Sequence, residues 1–213
     1  MLKYGILARA IKLMCFRPAL RRLAQLHPEL PLGAYKRRVK AEYKAMLRRT
    51  PDIGGSSLES NLYIAAFVFS LHKAAPEIIT PPVVDAMVDA VFDSAFMRKA
   101  HQNKKCTLFT DKVQNQKVRE SRASQTSPYE LDWKFDYQKG TDEFFNTYTA
   151  CGICKLGLRE DCFAFVPCLC KMDERSYRNE GGQLYRTQTL AGGDPCCDFH
   201  VVKLDRVHHG AAS

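Results

Sequence analysis

"WKFDYQKGTDEFFNTYTA", residues 133–150, is where the hydrophobic period of this chain changes. Trp133, Phe135 and Tyr137 alternate with charged neighbours, Gly140 marks a turn, and "FFNTYT" (Phe144 to Thr149) resumes as a second strand. Alternation of this kind predicts half-buried strands, with one set of side chains turned to a core. Upstream the period is helical. "TPDIGGSS", Thr50 to Ser57, is a turn-rich break, and Ser56 with Glu59 predicts a capping box for the helix "LESNLYIAAFVFSLHKAA". That helix is apolar on most sides, so it is expected in the interior, with Asn61 and His72 as hydrogen-bonded core or rim residues. Thr80 followed by Pro81 and Pro82 starts another helix, with Val84, Met87, Val88, Val91 and Phe92 on its inner stripe.

Downstream, "CGICKLGLREDCFAFVPCLCKMDERSYRNEGG" has helical lengths and a Gly181–Gly182 stop. The chain then returns as a hairpin, with Leu184, Arg186, Gln188 and Leu190 on one face and Tyr185, Thr187 and Thr189 on the other. The fold class is therefore α+β: N-terminal helices, then an antiparallel sheet with helices packed on one face. The expected organisation is a basic amphipathic helical leader over 1–50 and one domain over 51–213. Within that domain lie a helical part (57–100), a connection (101–128), polar and weakly periodic with a surface segment or lid at Arg119–Pro128, and a sheet and thiol-bearing part (129–204).

The chain has 213 residues, 46% of them hydrophobic, enough for one well-buried core, and this excludes the very small disulfide-held scaffolds. Its formal charge of +9 is unevenly spread. Residues 1–50 hold 13 Lys and Arg against Glu29 and Glu42, a net of +11, and the rest, 19 against 21, carries −2. Tyr35, Val39, Tyr43, Met46 and Leu47 recur there at helical spacing, with Lys36, Arg37, Arg38, Lys40, Lys44, Arg48 and Arg49 around them. This is an amphipathic basic helix, either a solvated face docked to the body or a surface for an acidic membrane or partner. Nucleic acid is not the expected partner, for there is neither an aromatic-rich RNA-binding signature nor zinc-finger spacing. Arg9 and Lys12 interrupt the mildly apolar start, so neither a signal peptide nor a membrane span is expected.

Of the nine cysteines, six fall in close pairs, Cys151/Cys154, Cys168/Cys170 and Cys196/Cys197, rather than as the spread pairs of a secreted framework, which points to a reducing cytoplasm. Metal binding by such pairs competes with burial as small hydrophobes, the reading for Cys15, Cys106 and Cys162.

The run from "YTACGICKLG" through "LCKMD" and "LYRTQTLAGG" to "CDFHVVK" resembles the L-2-amino-thiazoline-4-carboxylic acid hydrolase family. The matching positions are Cys151, Cys170 with Asp173, Arg186 with Thr189, Gly192, and Cys197, Asp198 and Phe199; the strand "LDWKFDY" is also similar. His200 stands where the family pattern has arginine. The resemblance implies a hydrolase that opens a cyclic C–N or C–S bond of a small carboxylated heterocycle, as in conversion of 2-aminothiazoline-4-carboxylate to a carbamoyl-cysteine. It also implies a likeness to the 4-vinyl reductase type of ligand-binding domain, whose members need not be enzymes. The alternative function is accordingly a non-catalytic small-molecule- or metal-sensing domain.

Such a reaction needs a nucleophile, a proton donor for the departing atom and a cation to orient the carboxylate. Cys197 is the candidate nucleophile, with Cys170, Asp173 and Asp198 as supporting acid, base or orienting groups and Arg186, Thr189 and Trp133 on the substrate. Alternatively Cys151, Cys170 and Cys197 hold a divalent zinc or iron with an open position for water; otherwise no cofactor is expected. Cys196 alternates with Cys197 and is expected to point away. The expected partners are the small-molecule substrate, an acidic surface facing the basic helix, and further copies of the chain.

Overall fold

A computed structural model describes residues 1–102 and 106–207. The helices come first: α1 (Ile6–Leu26), α2 (Leu32–Arg49), α3 (Glu59–Lys73), α4 (Pro81–Phe92), α5 (Ala95–Gln102) and α6 (Asp111–Gln125). Strands β1 (Lys134–Gln138) and β2 (Glu143–Ala150) follow, then α7 (Gly152–Arg159) and α8 (Val166–Asn179), strands β3 (Gly182–Tyr185) and β4 (Cys197–Lys203), and a last turn, α9 (Leu204–Val207). The four strands form one antiparallel sheet in the order β1-β2-β4-β3. This is the α+β architecture that the change of period predicts.

The apolar helix α3 is the centre of the helical half, in contact with α1, α2 and α7. Its N-terminus is capped differently from the expected box: Leu58 is the N-cap residue, and Ser56 Oγ accepts from the Leu58 amide at 3.4 Å. α2 lays Tyr35, Val39, Tyr43, Met46 and Leu47 into the core, all fully buried. Two of these carry polar tips that find backbone acceptors, as buried hydroxyls must. Tyr35 Oη donates to Leu71 O at 2.9 Å and Tyr43 Oη to Tyr63 O at 3.2 Å. On its basic side, Arg38 Nε donates to Ala74 O, and Arg49 makes a two-pronged pair with the buried Glu160 at the end of α7, at 2.8 and 2.6 Å. Among the described residues, no helix is long and apolar enough to cross a membrane.

One sheet face is covered by helices, with α6 against β1 and α8 against β3. The covered face carries Phe135 and Tyr137 on β1, Phe144, Asn146 and Tyr148 on β2, Cys197, Phe199 and Val201 on β4, and Leu184 on β3. The open face carries Phe145, Tyr185 and His200, with the Phe145 and His200 rings stacked at 4.4 Å.

Two segments depart from expectation. Within the stretch read as a connection, residues 111–125 form α6, whose inward positions are Gln114, Ser121 and Ser124. A polar inner stripe leaves no hydrophobic period to detect. Its groups instead satisfy the edge strand, where the register shifts between Lys134 and Phe135. The Phe135 amide donates to Ser124 Oγ at 3.2 Å, and Gln125 Nε2 donates to Phe135 O at 2.9 Å, so the edge backbone is paired rather than open. The second departure is the hairpin. β3 stops at Tyr185, because the amides of Thr187 and Gln188 go to Asp198 Oδ1, at 3.0 and 2.6 Å, instead of to a strand neighbour.

Candidate functional site

A cavity of ≈ 380 Å³ lies between the covered sheet face and α8, bordered by the start of α6 and by Trp133. It divides the interior in two. One apolar cluster fills the helical half and reaches Phe135 and Trp133; a second comprises Phe144, Leu184, Cys197, Phe199 and Val201, with Tyr137 and Tyr148 touching both. A hole of this size inside a two-part core, with convergent polar groups, has the dimensions of a small-molecule site.

Cys151 reaches the cavity from the junction of β2 and α7, where it is the N-cap residue. Gly152 makes that junction possible: a Cβ there would lie 2.2 Å from Leu131 O, so only glycine lets the helix start against the strand β1 approach. The Cys154 thiol stabilises negative charge on Cys151, as do the amides of Cys154 and Ile153, and together they lower its pKa despite burial. The Cys151 sulfur makes no cap hydrogen bond of ordinary geometry, so the amides act through their field, as helix N-termini do on thiolates. Of this coupled pair Cys154 keeps its proton, its pKa raised chiefly by that same contact.

α8 presents Cys170, Asp173 and Tyr177 on one face at helical spacing, all bordering the cavity. Its other face is tied to α4 by Lys171 with Asp85 and Arg175 with Asp89 and Asp93. Gly181, at φ 86°, ends the run after α8 and turns the chain into β3. Burial pushes the Asp173 carboxyl up to about 6, against the opposing pull of Arg186. Its side chain keeps 40% of its surface open, but it borders a cavity walled by protein, so ionisation is still penalised. Arg186, only 8% exposed, donates from Nη1 to Asp173 Oδ2 at 2.9 Å and from Nη2 to Cys170 O at 3.1 Å. Its guanidinium lies 5.0 Å from the centre of the Phe199 ring. Burial also pushes the Cys170 thiol up to about 12 and raises Cys197, whose sulfur accepts the Leu190 amide at 3.2 Å.

Cys151, Cys170, Asp173, Arg186, Cys197 and Trp133 thus line one cavity. Asp198 and Thr189 do not. Asp198 accepts from Thr187 Oγ1 at 2.6 Å and from two amides; although burial works the other way, these bonds hold it below the usual carboxylate range. Thr189 accepts the Gly192 amide at 3.0 Å and donates its own amide to Asp194, closing the glycine turn. Both residues shape the loop between β3 and β4. Cys196 is turned aside, its thiol donating to Gln188 Oε1. His200 lies on the open face, 2.7 Å from Glu143, so its replacement of arginine does not alter the cavity wall. Cys151, Cys170 and Cys197 border the same space, but among the described residues no three Cys, His, Asp or Glu side chains are grouped to hold a metal.

Asn61, Asn146, Tyr148 and Tyr177 also line the cavity. Asn146 and Tyr148 follow Phe144 at the strand period and Tyr177 follows Asp173 by one helical turn, which is the signal that marks them. Asn61 borders the cavity from α3 rather than serving only as core or rim.

A comparison with curated proteins finds no match, nor does one with solved structures. A family model described as L-2-amino-thiazoline-4-carboxylic acid hydrolase matches residues 60–201. That span holds every cavity residue named above, and the chain belongs to this family.

Proposed function

We propose that the protein is a thiol-dependent hydrolase that opens a cyclic C–N bond of a small, carboxylated, amidine-type heterocycle. The observation that carries this reading is one cavity lined by a thiol with a lowered pKa, Cys151, a carboxyl with a raised one, Asp173, and a buried cation, Arg186. The thiolate role moves from Cys197 to Cys151, because burial raises the former, while the Cys154 thiol first and the amides of the helix start after it lower the latter.

For a ring bound as its amidinium cation, the Cys151 thiolate bonds to the amidine carbon. The ring nitrogen takes the proton of Asp173 and leaves as the C–N bond breaks. Water then adds to the same carbon and returns a proton to Asp173. The bond to Cys151 breaks, the thiolate departs with its electron pair, and the remaining hydroxyl proton passes to the freed amine, leaving a carbamoyl group. Protonation of Asp173 loosens its pair with Arg186, whose charge is then free to meet the substrate carboxylate.

The test is incubation with 2-aminothiazoline-4-carboxylate, followed by mass spectrometry for a ring-opened product heavier by one water. Loss of turnover in Cys151→Ser is expected, as is a trapped thiol adduct when the second step is slowed. An unaltered ring, or full turnover by Cys151→Ser, refutes the assignment.

A further inference from the structure

Asn146 lines this cavity with a side-chain amide of which only one end is hydrogen-bonded. It is 2% exposed, sits on β2 between the inward Phe144 and Tyr148, and faces Phe199 across the β2–β4 ladder. Its Nδ2 donates to Tyr148 Oη at 2.8 Å. Its Oδ1 is buried with no partner, and among the described residues it is the only buried side-chain nitrogen or oxygen in that condition. Buried acceptors are almost always paired, and an unpaired one costs stability that a hydrophobic residue of similar size would not. With Nδ2 given to Tyr148 Oη, Oδ1 is the half of the amide left without a bond, and the tyrosine proton is left for an acceptor beside it.

We infer that Asn146 is the specificity-determining residue of this cavity, its Oδ1 accepting an N–H from a planar ligand held against Tyr148, Tyr177 and Phe199. The ligand class is a flat amidinium, amine or amide ring carrying an N–H donor next to an acceptor. An isosteric methyl in place of the N–H leaves Oδ1 unpaired in the bound state, and a site built around such a bond discriminates strongly against the analogue lacking it. Asn146 deepens the hydrolase reading by naming the substrate feature that is recognised, and for an amidine substrate it rests on that reading.

The experiment uses the full chain carrying Cys151→Ser, so that no ring is opened. Calorimetry measures binding of matched 2-amino and 2-methyl pairs built on thiazoline-4-carboxylate and thiazole-4-carboxylate. The amino member is expected to bind about tenfold to hundredfold tighter. Adding Asn146→Leu is expected to erase the difference, and Asn146→Asp, which keeps acceptors at both positions, to preserve it. Asn146→Leu is not expected to melt lower than the parent by more than a few degrees, since it gives up one bond to Tyr148 and removes an acceptor that had no partner. The inference is overturned by equal or absent binding of both members, by a preference that survives Asn146→Leu, or by loss of the preference in Asn146→Asp. Amino preference without ring opening by the unsubstituted protein sinks the hydrolase reading alone. Ring opening without amino preference sinks the Asn146 assignment alone.

Discussion

Replacing Glu160 by Gln tests how firmly the first fifty residues belong to the body. Glu160 is 2% exposed and receives Arg49 at 2.8 and 2.6 Å and Lys73 at 3.0 Å. It therefore joins the end of α2 and the end of α3 to the last turn of α7, the helix whose first turn carries Cys151. Removing one partner of a fully buried ion pair costs about 3–5 kcal/mol. Here the two cations are 40% and 30% exposed and Arg49 keeps Glu42 at 2.6 Å, so they resolvate, and the expected cost falls to about 2 kcal/mol. At the size of this chain, that is a fall in Tm of roughly 4–8 °C. Burial alone would raise the Glu160 pKa, but hydrogen bonds from Arg49 and Lys73 outweigh it and hold the carboxyl below its ordinary value. A depressed folded pKa means that the stabilisation is present above the unfolded value of about 4 and is lost as pH falls through the folded one. Calorimetric melts of the two proteins are accordingly expected to differ at pH 7 and to converge in acid. Equal melting at pH 7, or a gap that does not narrow as the pH is lowered, would refute the reasoning.

Deletion of residues 1–50 is expected to yield an unfolded or aggregating chain, because it strips Tyr35, Tyr43, Met46 and Leu47 from the core; a soluble, cooperatively melting fragment would contradict this. Iodoacetamide is expected to label Cys151 first, with a rate that rises with pH to a midpoint below the ordinary thiol value, while Cys197 lags; peptide mapping over a pH series reads both. Asp173 as proton donor requires kcat/KM to decline as pH rises through about 6. Asp173→Asn is expected to remove that limb and to lower the rate by about 10²- to 10⁴-fold, and an unchanged profile would exclude it as the acid.

Much of the architecture was legible because apolar side chains recur at the period of their element. Tyr35, Val39 and Tyr43 mark α2, the Thr80-Pro81-Pro82 start marks α4, and alternation over 133–149 marks β1 and β2. α6 was not legible, because its inner stripe bonds rather than packs. The end of β3 was hidden too: Asp198, thirteen residues past Tyr185, captures the amides that a longer strand would have used. Cys170, Asp173 and Arg186 were legible through the motifs that carry the family resemblance. The preference for Cys151 over Cys197 in the proposed mechanism was not legible, since it turns on the Cys154 thiol and helix start beside Cys151 and on the burial of Cys197. Asn146 reads as an ordinary polar strand residue until Phe199 and Tyr148 are seen closing around it.

The division of the interior into two apolar clusters separates what the protein is built from and what it selects. Asn61 and Asn146 face the cavity but belong to neither cluster. Substitutions there redraw the ligand contour without disturbing the interlocking of Leu62, Phe69 and Leu156 on one side or Val201 and Leu184 on the other. Chemical taste can therefore drift within a constant frame, and directed evolution toward a new ring would begin at those two amides and leave the aromatic walls for last.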